Sequence, residues 1–474
     1  MRRSVRFFLA NALLAAAVAT IPDASAAQMD WQSEIDAVAA KGGGRVSVPA
    51  GRHVTGGLVL RSNVELHLAK GAVLEGASST NDYPRVRLPN SEGDWMAVVM
   101  AVGATNVAIT GDGEISGNGR AFPQPKSYGN LQEGTRPRGL FFADCTGIRL
   151  TDFTLRDTGS WGCVLKCCDR VEIRRLTIDN HANANNDGID VEASNVVIAD
   201  CDIDSGDDAV CIKSNDPDFS VENVLVSNVV ARSNCANFKL GTASHGIMRN
   251  ILFVDCRAEA PRRDFPDLRP EKGKPFGAGW FYSTWYARVF PPLKADSLFS
   301  LNALAVECVD GGLVENITFR NVRISGTAVP IFVRGGKRVK RATGTPPGNR
   351  YVLRNVLFEN VTGEALSCVP SSITGVEGCR AENVALRNVR LTAPGGGETE
   401  EERTRPVPEL EGATPGVAMF GQLLPAHGLW ARHVDGLRLE DVSFLLADGT
   451  FDRRDAVVLD DVQPAGEDAG RRSK

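Results

Sequence analysis

One segment recurs along most of this 474-residue chain, and it constrains the fold more than any other feature. The unit is Asn or Gly, a short alternating strand, a polar break, then a second alternating strand. It reads NVAITGDGEISG from Asn106, GIRLTDFTLRDTG from Gly147, RVEIRRLTIDN from Arg170, NVVIADCDIDSG from Asn195, NVLVSNVVARSN from Asn223 and NILFVDCRAEA from Asn250. Later copies are LVENITFRNVRISG, VLRNVLFENVTGE, ENVALRNVRLTA and GLRLEDVSFLLADG. The equivalent residues Ile148, Val171, Val196, Val224 and Ile251 are spaced by 23, 25, 28 and 27. A unit of that length cannot bury its own apolar face, whereas stacked units bury alternate residues against each other. Strands with no helical pattern between them predict an all-β fold, a parallel β-helix whose rungs stack at ~4.8 Å. Recurrent Asn suits the turns, because Asn tolerates left-handed backbone and can bond along a ladder. A leucine-rich solenoid has a similar period, but its single strand and fixed Leu/Asn spacing are missing.

Such a stack needs closed ends. DWQSEIDAVAAKGGG (Asp30–Gly44) carries Ile35, Val38 and Ala39 at helical spacing and stops at glycines, which predicts a short N-terminal cap helix. PGGGETEEERTRP (Pro394–Pro406) reads as a charged, Gly-rich loop. Residues 261–298 break the period and are rich in Pro and aromatics, the composition of an inserted binding loop or wall. The rest, 27–474, reads as one domain.

The first residues read as a signal for export. MRRSVRFF is basic, LANALLAAAVA is apolar, and ASA at Ala24–Ala26 fits a cleavage site, so residues 1–26 are expected to be a secretory signal peptide. The mature chain is then periplasmic or extracellular. No later segment has 18 unbroken apolar residues, so no membrane partner is expected. A net charge of −5 argues against nucleic acid as a general partner. The 11 cysteines fall largely inside strand-like runs, as with Cys145, Cys201 and Cys256. Stacked core thiols are the favoured reading, and disulfides in an exported protein are the alternative.

Two carboxylate-rich stretches fall one rung apart: NNDGID (Asn185–Asp190) and SGDDAV (Ser205–Val210). Alone, each is an ordinary turn sequence. On adjacent rungs, Asp187, Asp207 and Asp208 would share one surface patch. Such a trio suits glycoside hydrolysis, in which one carboxylic acid protonates the leaving oxygen and other carboxylates activate water. Mutual repulsion keeps a proton on at least one member. Clustered carboxylates also suit Ca²⁺, the second reading.

These residues resemble the polygalacturonase family, glycoside hydrolase family 28, of the bacterial pectin-degrading type. The likeness runs over nearly the whole mature chain, from AVAAKGGGRVSVPAGRHVTGG through NNDGIDVEAS, SGDDAVCIKS, FKLGTASHGIMRNI and VDGGLVENITFRNVRI to PIFVRGG. Asn186 stands where the family's Asn-Thr-Asp motif has Thr. The resemblance implies a right-handed, pectin-lyase-like β-helix and an inverting hydrolysis with no metal or cofactor. It implies Asp207 as general acid, and Asp187 and Asp208 as the residues that hold and activate water. Its partners would be plant cell-wall pectic glycans or their oligosaccharides, met by a monomer.

Two departures bear on the substrate. Ala236, in CANFKLGT, stands where the family has the His of a Gly-His-Gly motif, and His245 comes later. The family's Arg-Ile-Lys motif is absent, and Glu307, in ALAVECVDGG, lies near its position, where a carboxylate would repel galacturonate. Lys239 is a substitute cation or a surface lysine. Lys213, in CIKS, is a substrate contact or a charge partner of the cluster. Trp161, about a rung before Asp187, is a candidate sugar platform, and Asn185 completes the candidate substrate-binding set. Rhamnogalacturonan then fits as well as galacturonan, and the aromatic insertion would favour exo attack by closing one end of the groove. A Ca²⁺-dependent lyase and a non-catalytic carbohydrate-binding β-helix are the competing functions.

Overall fold

The structure is a computed structural model and describes residues 30–88, 94–123, 134–263, 292–293, 298–339, 349–413, 416–420 and 422–464. The expected leader (1–26) and most of the 261–298 insertion, including its aromatic GWFYSTWY run, lie outside the described residues.

Alternation governs the architecture. Strands with every second residue apolar must present that face to a common core, and here they do so in long parallel ladders. One ladder runs in register through Val107, Ile148, Val171, Val196, Val224, Ile251, Ile317, Val356 and Val384. All nine side chains are buried. These include the residues whose spacing defined the repeat, so each repeat contributes one strand to each ladder. The chain is nearly all strand; among the described residues there are two α-helices. The pairing of Ile251 with Ile317 carries the ladder across the 261–298 insertion without a register change.

The turns explain the recurrent Asn. Asn195, Asn223, Asn250, Asn316, Asn355 and Asn383 all have φ between 51° and 58°. That left-handed conformation costs most L-residues about 1–2 kcal/mol, and Asn adopts it more readily than most because its short amide bonds locally. Each amide donates to the one before it, at 3.1, 3.4, 3.1, 3.0 and 3.3 Å along the row. A second row links Asp255, Asn321, Asn360 and Asn388 at 2.8 Å per step. Inside, Phe253, Phe319 and Phe358 stack in register, with centroids 4.7 and 5.2 Å apart.

The N-terminal end is closed by the helix Trp31–Ala40, which buries Trp31 and Ile35 against the first strands. Gly43 ends it at φ 115°, where a Cβ would meet the carbonyl oxygen of Asn63 at 2.4 Å. The charged run near the other end departs from the expectation of a loop. Glu400–Thr404 is a short helix, nucleated by a capping box between Thr399 and Glu402 and laced by Glu400–Arg403 and Glu401–Arg405 pairs. All eleven cysteines are free thiols, ten of them buried, as the strand pattern favoured. No helix among the described residues is long and apolar enough to cross a membrane.

Candidate active site

The site lies where four consecutive rungs begin the same ladder. Backbone bonds from Gly162 to Asp187 (2.9 Å), Gly188 to Asp208 (2.8 Å) and Ala209 to Ala236 (2.8 Å) put Trp161, Asp187, Asp208 and Ala236 on successive rungs. The Asp207 amide donates to the Asn186 carbonyl at 3.2 Å. Asp187, Asp207 and Asp208 therefore meet at one place, each under one-tenth exposed. The strands that follow, Ile189–Ala199, Val210–Ser214 and Ala236–Ser244, are locked in register, with Asp190 opposite Cys211 and Cys211 opposite Lys239.

Two lysines divide the carboxylates. Lys239 Nζ donates to Asp208 Oδ2 at 2.8 Å, and the Ala236 amide donates to Oδ1 at 3.3 Å. Burial pushes Asp208 upward, but Lys239 and Lys213 outweigh it and hold the carboxyl below its ordinary value. Asp207, one residue earlier, lacks such a direct cation. Its Oδ2 accepts from Asn185 Nδ2 at 3.2 Å, and its Oδ1 from the Asp208 amide at 2.9 Å. Burial, then the neighbouring Asp208 charge, push it up to about 6. Lys213 Nζ reaches Asp187 Oδ2 at 3.1 Å and also pairs with Asp190. Burial and Asp190 drive Asp187 well above the usual carboxylate range despite Lys213.

The other candidates fall around this centre. Asn185, at φ 53°, is itself braced by Arg136 at 3.4 Å. Trp161 is half-buried, with the Lys213 ammonium 4.2 Å from its ring centroid and the Trp95 ring 5.8 Å away. Glu307 is buried and pushed up to about 7, mainly by desolvation, which Lys239 partly offsets. It pairs in register with Arg334 on the next rung. His245 follows the far end of the strand Ala236–Ser244, 3.7 Å from Asp310, which Arg338 also grips. Lys213 and Lys239 are thus internal charge partners of the aspartates. Asp190, Cys235 and Arg136 were not singled out in the sequence. Asp190 alternates with Ile189 and Val191, which by itself places it on the outward face; its burial comes from the neighbouring rungs.

Asp207, Asp208 and Cys235 offer donor atoms within 4.8 Å of one another. The set suits Ca²⁺ poorly, since that ion takes six to eight oxygens and Lys239 already neutralises Asp208.

Residues 42–231 and 301–409 match the family model of glycosyl hydrolases family 28, and the chain belongs to that family. A probable polygalacturonase of Vitis vinifera is 30% identical over 243 residues, 48% of this chain and 49% of that protein. A probable rhamnogalacturonase C of Aspergillus flavus is 26% identical over 290 residues, 60% of this chain and 54% of that protein. The chain thus spans about half the length of these curated relatives. Among solved structures, the family 28 exopolygalacturonase of Yersinia enterocolitica superposes with a TM-score of 0.65 at 19% identity, covering 92% of this chain and 75% of that one. An exopolygalacturonase from Thermotoga maritima gives 0.55 at 18% identity, over 89% and 88%. At those identities the likeness is one of fold.

Proposed function

We propose that this protein is an inverting glycoside hydrolase of pectic polysaccharides or oligosaccharides, carried on a right-handed, pectin-lyase-like parallel β-helix. The observation that carries the reading is the division of adjacent aspartates: Asp207 is raised to about 6 and Asp208 is held ionised by Lys239. An acid and a base held apart in pKa within one patch are what glycosidic cleavage needs. Asp207 gives its proton to the glycosidic oxygen as the bond from the anomeric carbon breaks. Water attacks that carbon from the opposite face and loses its proton to the carboxylate of Asp208, or to Asp187 when that group is ionised. Family membership and the pectic names of the relatives support the substrate class, polygalacturonan or rhamnogalacturonan.

Trp95 and Trp161, both half-buried, lie on the rungs before Asp187 with their rings 5.8 Å apart. An aromatic wall at that end of the carboxylate row favours exo attack. The basic, apolar and small-residue order of residues 1–26 supports export to the periplasm or beyond.

Asp207 and Asp208 offer oxygens within 4.8 Å, a short spacing of the kind retaining enzymes use. Against it, both Asp208 oxygens already accept hydrogen bonds, from Lys239 and from the Ala236 amide, which leaves a poor nucleophile. Proton NMR of fresh products from pectic oligosaccharides separates the readings. The inverted anomer is expected first; the retained anomer would reject the assigned roles, and an unsaturated product would establish a lyase. Asp207→Asn should lower kcat by about 10²–10⁴-fold with oligosaccharide binding intact.

A further inference from the structure

The least explained group in the site is Asp190. It is 2% exposed, and Asp187 is exposed to the same extent. It sits three residues from Asp187, and one ammonium, Lys213 Nζ, contacts both carboxylates. Lys213 is fixed from the other side by the Trp161 ring at 4.2 Å. One cation thus faces two buried anions. The surrounding elements bring further titratable groups: Asp207 and Asp208 from the turn before Val210–Ser214, Cys211 on that strand, Lys239 on Ala236–Ser244 and Cys163 on Cys163–Arg174. Only Lys239 among these is a cation, and it is bonded to Asp208.

We propose that Asp190 is a positioning residue: it shares Lys213 with Asp187, and its own protonation decides whether Lys213 is free to hold Asp187 as a carboxylate. Two buried carboxylates around one ammonium ionise together only at high cost. With the proton on Asp190, the whole charge of Lys213 turns to Asp187, which becomes the anion that water activation requires. With Asp190 ionised as well, Asp187 takes the proton and is lost as a base. Burial raises both groups, and the Asp190 charge then raises Asp187 further, whereas a hydrogen bond from Asp187 lowers Asp190, so the pair shares one proton rather than titrating separately. That Asp190 positions a catalytic base rests on the hydrolase reading; the proton exchange itself does not depend on it.

Asp190→Asn imitates the protonated state permanently. Two readouts follow it. Isotope-edited infrared titration reports the Asp187 carboxylate, identified by the band that Asp187→Asn removes. The pH profile of kcat/KM reports the working site. In Asp190→Asn both the Asp187 midpoint and the acid limb should move down by about 1 unit or more, and Asp190→Glu should restore the wild-type values. An unmoved Asp187 midpoint in a folded Asp190→Asn protein overturns the proposal, as does a lower kcat with an unmoved acid limb. Asp190→Ser provides a second charge-removing variant if the Asn protein does not fold. Failure of the wild-type protein to cleave any pectic glycan would sink the hydrolase reading, while the infrared midpoint would still decide the exchange between Asp187 and Asp190.

Discussion

Asp207 and Asp208 are chain neighbours with the same side chain, and they differ because only Asp208 meets a cation from the next rung. Lys239 bonds to Asp208, while Asp207 accepts from an amide side chain and a backbone N–H and has no direct cation. The proposed acid must enter the reaction protonated. Its proton is present below about pH 6 and lost as pH rises through that value, so kcat/KM should fall on the alkaline side of about 6. A pH–rate profile on a cleaved oligosaccharide checks this; activity that keeps rising beyond pH 8 would contradict it. Lys239→Met leaves Asp208 buried without its cation. Breaking a buried pair in this way should cost about 3–5 kcal/mol of stability, read by urea unfolding. Because an ammonium neutralises Asp208, EDTA should leave turnover unchanged; a chelator-sensitive rate would favour a lyase.

The strand-and-turn units owe their regularity to two repeated contacts. Asn316 holds φ 57° and bonds to Asn250 before it and Asn355 after it. Asn316→Gly keeps access to that backbone but loses the amide ladder; Asn316→Ala loses both. Alanine should therefore be the worse change by about 1 kcal/mol, from chemical denaturation of the two variants. Equal losses would mean that the ladder, not the left-handed turn, is what Asn supplies. Within the core, Phe319 lies between Phe253 and Phe358. Phe319→Ala should cost about 3–5 kcal/mol, because parallel rungs locked by backbone bonds cannot collapse into the gap.

At the scale of the whole molecule, a stack of rungs is only as sound as its ends. Trp31 and Ile35 of the cap helix cover apolar side chains of the first strands, which would otherwise present an open edge for pairing between chains. Ile35→Asp should unseat the helix, lower the Tm and bring association visible by light scattering. A monodisperse variant of unchanged Tm would show that the helix is dispensable. The ladders also carry the chain past its long insertion: Ile251 and Ile317 pair as if 261–298 were absent, so the repeat and not the loop sets the register.

Much of this was legible because repetition converts sequence spacing into spatial contact. Once residues recur with one strand-turn-strand unit between them, stacking brings Asp187 beside Asp208 and aligns Ile148 with Val171. The buried thiols, the cap helix and the Asn turns follow from the same alternation. The short helix Glu400–Thr404 departs from the loop that its Gly-rich flank predicts, because the Thr399–Glu402 capping box nucleates it. The lysines were the harder case. Lys213 and Lys239 lie 26 and 31 residues from the aspartates they hold, and only the stacking of one rung on the next turns them onto those carboxylates. Asp190 was hidden for a related reason, since its partner is an ammonium supplied by the next rung. The sequence by itself determined which residue types recur, and therefore the stacked strands and the meeting of three aspartates. Which carboxylate keeps a proton was decided only by the tertiary structure, because pKa depends on burial and on charges a few ångströms away.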